Sequence, residues 1–339
     1  MNATKKDRKP NFFHNFINDA AYRKQVFVKV RAQLFGASRE KRGLVSTVLL
    51  YFVLTSLALV YFAPILSMLV TSLMDFSDMM NPTTNWIPRQ LEWSNFRQAW
   101  LAIGAMPPTL FVPGFTFLES VGRSTLINTV IVTVPSAIFQ VFSCAVAGYA
   151  FGRLDFPFKR FFFVMLILVF VVPPQAQIIP LIWTYRGLGI LNTPLVFYGP
   201  AFFGHGVRGS LFVFVFMQFF RKLPKDLEEA AMVDGVNPLM IFLKVMMPLA
   251  KPAFMVVFLF SIVYHWTESL LSSTLYSHFP TMSVRIMLVM DPTAQMGVHV
   301  GMRTVQMATG VIMMAPILIL YFFTQRTFTE SIERTGLVD

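Results

Sequence analysis

The residues of this sequence that could do chemical work are few, and they form two groups. One is the acidic stretch Pro224-Lys225-Asp226-Leu227-Glu228-Glu229-Ala230-Ala231-Met232-Val233-Asp234-Gly235, followed by Asn237-Pro238 and Met247-Pro248. The other is a set of polar side chains inside long apolar runs: Gln175, Gln177, Arg208, Tyr264, Trp266 and Glu268. The chemistry that suits both groups is recognition rather than bond making. The five histidines are scattered at 14, 205, 265, 278 and 299, the single cysteine is Cys144 in an apolar run, and no nucleophile set or metal-ligand cluster emerges from the spacing. No Gly-x-x-x-x-Gly-Lys-Ser/Thr phosphate loop occurs either, so this chain has no such cradle for ATP.

The acidic stretch reads as a helix, a turn and a second helix. Pro224 suits a first helical turn because it has no N–H to leave unpaired, and Asp226, Glu228 and Glu229 complement the positive end of the helix dipole. Gly235 stands where a left-handed C-cap residue belongs, and Asn237-Pro238 caps and opens the next helix. The small Ala230 and Ala231 are expected on one side, where another protein's backbone could approach closely.

The elements that carry these residues are membrane helices. Apolar residues make up 55% of the chain and charged residues only 13%, against about 25% in ordinary soluble proteins. Since about 20 apolar residues cross the hydrocarbon core, the charge-free runs at about 44–74, 124–152, 161–185, 195–220, 248–275 and 304–325 predict six crossings. The first run exceeds the length of one crossing and contains Pro64, so tilt, a kink or projection is expected there. Lys and Arg crowd the tail before residue 44 and the loops at 153–160 and 221–244, which places both termini and the 221–247 loop in the cytoplasm. The net charge of +11 is then topology plus attraction to anionic lipid, with no nucleic acid implied.

The first apolar run starts too late and runs too long for a cleavable signal peptide. Residues Ala20–Phe35 suit either an amphipathic helix at the inner surface or a basic tail. Within the spans, polar groups are costly unless they face a cavity or a partner. Pro173, Pro174 and Pro180 interrupt the third run, leaving Gln175 and Gln177 either to line a pathway or to bridge neighbouring helices. Arg208, in Gly204-His205-Gly206-Val207-Arg208-Gly209-Ser210, lies about 20 Å from the inner surface by helical rise. It could bind solute, snorkel to the outer rim or pair with Glu268. His265 alone suits a structural hydrogen bond.

At 229–248 the sequence resembles the EAA loop of permease subunits of ATP-binding-cassette importers: Glu-Ala-Ala, three residues, Gly, nine residues, then Ile-x-Leu-Pro. Glu229-Ala230-Ala231, Gly235 and Pro248 match it, with Val245 and Met247 replacing Ile and Leu. Asp234-Gly235 and Phe242 resemble the maltose-type carbohydrate branch, as do Pro88 with Asn95-Phe96, Pro173-Pro174-Gln175 with Ile179-Pro180-Leu181, Trp266-Thr267-Glu268, and Gln325-Arg326-Thr327-Phe328. Thr267 and Thr327 depart from the Asn and Tyr of that branch.

The resemblance implies an all-α, six-helix permease fold of the type I importers. It assigns residues 1–43 to a cytoplasmic tail, 44–326 to the membrane domain with the coupling loop at 221–250, and 327–339 to a second cytoplasmic tail. Glu229, Ala230, Ala231, Asp234, Gly235 and Pro248 would couple to the ATPase. Gln175, Gln177, Arg208, Tyr264, Trp266 and Glu268 would belong to the pathway of a sugar or oligosaccharide, the alternatives being a polyol phosphate, an amino acid or, on another reading, secondary transport. The implied partners are an ATP-binding subunit dimer that carries ATP-Mg, a second homologous permease and an extracytoplasmic solute-binding protein, all at the inner membrane. This chain would itself be neither enzyme nor cofactor carrier.

Overall fold

The computed structural model describes Lys24, Phe27, Val28 and residues 44–80, 87–105, 124–290 and 303–336. Among these the regular structure is entirely helical. The segment Ala20–Phe35 falls outside the described residues except for Lys24, Phe27 and Val28, which are helical. The chain divides into two units, Met1–Ser67 and Met68–Asp339.

The first unit carries most of α1 (Leu44–Ser72), a 29-residue helix with Pro64 inside. Leu49, Tyr51, Phe52 and Tyr61 are all exposed on it, and a helix apolar on every side belongs in lipid or against another chain.

In the second unit α2 (Phe76–Met80) and α3 (Ser94–Ala102) occupy the loop after the first run. The Asp78 carboxylate accepts from the Arg89 backbone N–H at 2.8 Å. The buried Asn95 amide donates to the Ser72 and Met74 carbonyls at 3.1 and 2.8 Å, fastening α3 to the chain leaving α1. Thr304 donates to the Asn95 Oδ1 at 3.4 Å, and α3 packs along the last helix, α14 (Arg303–Gly336). That helix passes residue 327 without a break.

Between α3 and α14 lie α4 (Thr125–Arg153), α5 (Lys159–Val171), α6 (Pro174–Gly187), α7 (Leu195–Phe202), α8 (Gly209–Lys222), α9 (Asp226–Val233), α10 (Pro238–Leu249, with a π turn at Phe242–Met246), α11 (Lys251–Thr267), α12 (Leu270–Leu275) and α13 (Met282–Met290). Against the six predicted crossings, the described residues hold three unbroken helices long and apolar enough to cross a membrane, α1, α4 and α14 up to Gln325. Two bent pairs bring the number to as many as five, α5 with α6 at 103° and α10 with α11 at 79°. The predicted run 195–220 is divided into α7 and α8 by the segment 203–208, and 248–275 is interrupted at Glu268. The breaks have local causes: Pro173-Pro174 at the first bend, glycines between α7 and α8, and Pro248, whose missing N–H follows the π turn at the last.

α4 is the central helix, and it packs chiefly on α8, then on α11 and α7. Its inner face reads Thr129, Thr133, Ser136, Gln140, Cys144, Gly148 and Gly152, small or polar residues at spacings of three and four. Small residues let helices approach closely within a membrane. A Cβ on Gly148 would stand 2.5 Å from Phe216 Cβ and 2.9 Å from the Met217 nitrogen, so no larger residue fits. Phe212, Phe216 and Phe220 of α8 close the contact, with Phe216 stacking edge-on against Phe254 of α11 at 4.9 Å.

Gly148→Val is therefore expected to destabilise the bundle by about 1–3 kcal/mol, the cost of overpacking. The measurement is the thermal unfolding midpoint of the detergent-purified protein. A midpoint equal to that of the parent would mean that α4 and α8 do not meet at this glycine.

Candidate functional site

The acidic stretch folds as its residues direct. α9 begins at Asp226 with Lys225 as N-cap, so Pro224 precedes the helix rather than standing in its first turn. Gly235 adopts φ +75°, the left-handed conformation that ends the helix. Asn237 Oδ1 accepts from the Met240 N–H at 2.8 Å and opens α10.

The two faces of α9 differ. Asp226, Glu229, Ala230, Met232 and Val233 are exposed, as are Asp234, Gly235 and Pro248, and Val233 shows 87% of its surface. Ala231 does not share this face with Ala230, because it packs inward on the cluster of Phe220, Ile241 and Phe242. Successive helical residues stand about 100° apart, which separates the two alanines.

The inward acid is Glu228, its side chain 10% exposed and its Oε1 3.8 Å from Nε of Arg153, itself 4% exposed. Arg153 Nη2 also donates to the Leu223 carbonyl, where α8 ends. The motif drew attention to Glu229; the signal for its neighbour was an arginine closing an apolar run, which needs a counter-charge if it folds inward.

The second group gathers at the breaks. Between α7 and α8 the segment 203–208 is unwound, with Gly204 at φ +73° and Arg208 at φ +59°. α4 supports this backbone and the end of α7: the Gln140 amide donates to the Val207 carbonyl at 2.8 Å, and the Ser143 hydroxyl donates to the Ala201 carbonyl in the last turn of α7 at 2.6 Å. The Gln140 carbonyl oxygen in turn accepts from Ser261 of α11 at 2.8 Å, and His265 Nδ1 lies 2.9 Å from the Ser261 carbonyl. A Cβ on Gly206 would press on the Gln140 amide at 3.0 Å, and one on Gly209 would collide with the Gly204 carbonyl.

Beside this break lies a cleft of about 230 Å³ walled by Gln177, His205, Arg208, Ser210, Tyr264, His265, Thr267 and Glu268, with aromatic and aliphatic residues including Phe170, Tyr185 and Phe197. The Arg208 guanidinium stands over the Tyr264 ring, 5.7 Å from its centre. Glu268 caps the next helix, its Oε1 accepting from the Leu271 N–H at 2.8 Å.

Of the six candidate pathway residues, Gln177, Arg208, Tyr264 and Glu268 thus converge. Gln175 is exposed and outside the cleft lining. Trp266 points the other way, buried against Ile103 and Met282 with its indole N–H donating to the Met313 carbonyl at 3.1 Å. His265 has the expected structural hydrogen bond and also lines the cleft. Gln140 and Ser261 escaped the sequence reading, although an amide within an apolar run is itself a signal that backbone needs support.

A helical membrane protein with a polar cleft at the breaks of its spans, and a charged helix–turn–helix exposed on its surface, has the parts of a solute permease. Residues 144–334 match the family described as binding-protein-dependent transport system inner membrane component, and the chain belongs to that family. It is 27% identical over 218 residues to a probable ABC transporter permease protein of Pyrococcus horikoshii, covering 64% of this chain and 72% of that one. It is 29% identical over 213 residues to the melibiose/raffinose/stachyose import permease protein MelC of Bacillus subtilis, covering 62% and 69%. Its fold matches a chain in the crystal structure of a bacterial ABC transporter involved in import of the acidic polysaccharide alginate, with a TM-score of 0.65, 19% identity, and 84% and 96% of the two chains covered. The chain is an ABC importer permease.

Gln140→Leu should lower stability by about 1–3 kcal/mol, because the half-buried Val207 carbonyl loses its partner and the buried Ser261 hydroxyl keeps only the longer contact to His265 Nδ1 at 3.4 Å. Thermal unfolding of the purified protein reads this directly. An unchanged midpoint would show that the unwound segment does not rely on α4.

Proposed function

We propose that this chain forms half of the translocation pathway of a carbohydrate importer in the inner membrane, with ATP hydrolysis on separate subunits that dock on α9. The observation that carries the solute class is the cleft beside 203–208. It offers aromatic and aliphatic wall for the apolar face of a sugar ring, and Gln177, Arg208, Ser210, Thr267 and Glu268 for its hydroxyls. Arg208 and Glu268 together leave the cleft without net charge, which suits a neutral polyol better than a phosphorylated one that Glu268 would repel. The sugar-import relative supports the same class.

The docking role rests on the exposed face of α9, where Glu229 and Asp226 flank Ala230, Met232 and Val233, an apolar patch with an acidic rim. In this reading both termini and the 221–250 loop are cytoplasmic, a second permease completes the pathway, and an extracytoplasmic binding protein delivers the solute. The ATPase dimer closes on ATP, moves α9 and α10, and shifts the bundle between inward-open and outward-open states. No cofactor is required in this chain, ATP-Mg being held by the ATPase.

The test is uptake by the importer reconstituted with its own partner subunits and offered neutral oligosaccharides and a polyol phosphate. Arg208→Ala should lower sugar uptake about tenfold, the effect of losing about 1.4 kcal/mol of binding, while the ATPase still copurifies. Glu229→Lys should release the ATPase and abolish uptake, since charge reversal at a docked face costs several kcal/mol. Uptake of the polyol phosphate in preference to every sugar would overturn the solute assignment, and retention of the ATPase by Glu229→Lys would overturn the docking assignment.

A further inference from the structure

Arg153 and Glu228 are charged, buried, and used by neither the docking face nor the cleft. Their side chains are 4% and 10% exposed, with Nε and Oε1 3.8 Å apart. Around them lies an apolar cluster in which the Tyr149 ring meets Phe242 at 5.1 Å and Phe220 at 5.5 Å. An eight-residue helix such as α9 has little stability of its own, and apolar contacts alone would let it roll against the bundle. Two opposite charges withdrawn from water resist separation far more strongly, because each alone would be left uncompensated. The same guanidinium donates to the Leu223 carbonyl. One side chain therefore gathers the end of α4, the end of α8 and the first turn of α9.

We propose that the Arg153–Glu228 pair is the joint that makes α9 move as one body with α4 and α8, a reading that rests on α9 being the ATPase-docking element. The direction of transmission follows from the stripe on α4. Gln140, which holds the unwound segment at Val207, lies about 20 Å along the same helix from Arg153. A displacement imposed on α9 thus reaches the wall of the cleft through one continuous helix instead of through loops.

The test uses the complete importer in proteoliposomes, comparing Glu228→Gln, the exchanged pair Arg153→Glu with Glu228→Arg, and Glu229→Lys. Glu228→Gln should keep its ATPase subunits but move about tenfold less solute per ATP hydrolysed, and the exchanged pair should regain most of that ratio. Glu229→Lys, which faces outward, should instead lose the ATPase, so failure of the joint and failure of docking give different results. Solute moved per ATP within about twofold of the parent in Glu228→Gln would overturn the proposal, as would loss of the ATPase from that variant. Spin labels at Val146 and Leu227, both exposed and outside the docking patch, in an otherwise unaltered chain give a second measurement that does not depend on a buried substitution. Their separation should stay constant between nucleotide-free and ATP-bound complex, and a change of several ångströms would show that α9 moves independently of α4.

Discussion

The close approach of α4 to α8 at Gly148 is the constraint on which the second unit depends. In lipid there is little hydrophobic gain in bringing two apolar helices together, so the contact must come from packing and from polar groups that have no water to turn to. The stripe from Thr129 to Gly152 supplies both in a single line. Its lower part, Gly148 and Gly152, lets the α8 backbone come within van der Waals distance. Its middle, Gln140, Ser143 and Cys144, meets the backbone where the path of α7 into α8 is broken, and that broken backbone is tolerable at membrane depth only because these side chains are there. The packing helix and the helix that supports the cleft are therefore the same helix.

This arrangement explains why the breaks fall where they do. Each interrupts a run whose composition alone would make a straight crossing, and all but the one at Glu268 are marked by residues that deprive the helix of a hydrogen bond or of a side chain. Polar residues collect at them: Gln177 follows Pro173-Pro174, Arg208 sits among glycines, and Glu268 ends α11. A polar side chain at a helix break lies near backbone groups that also need partners, as Glu268 shows by capping α12. The cleft is thus assembled from helix termini brought together, and it differs in this from a channel walled by the sides of straight helices.

Much of this was legible in the sequence because it is written in local chemistry. Gly235 had to be left-handed and Asn237 had to cap, since nothing beyond four residues enters either argument. The helical class followed from apolar runs, and Gln177, Arg208, Tyr264 and Glu268 from the cost of burying polar groups. What could not be read was the direction in which each residue points. Trp266 and Glu268 are two residues apart, yet one faces Met313 and the other the cleft. Ala230 and Ala231 divide in the same way, and Glu228 rather than Glu229 is the buried acid. Facing is decided by the partner helix, and an apolar run with polar residues on several sides has too weak a periodicity to reveal that partner. A count of crossings is hard to read for a related reason, because a charge-free run measures composition and is blind to a bend of 103°.

The division of α9 into two faces carries a consequence for how such a protein can be driven. On the docking role proposed for α9, its outer face has to be apolar and charged at once to hold a moving partner, as Glu229, Met232 and Val233 are. It must also hold to its own bundle more firmly than the partner can pull, or the stroke would peel it away. Apolar burial by eight residues, of which Glu228 and Ala231 are the ones that point inward, offers too small an area for that. A buried ion pair is a poor source of net stability but a strong obstacle to separation, because its cost has been met on folding and is charged again if either partner is exposed alone. The ion pair thus suits the stiffness under load that the proposed docking role asks for, and it stands where three helix ends converge on a single guanidinium.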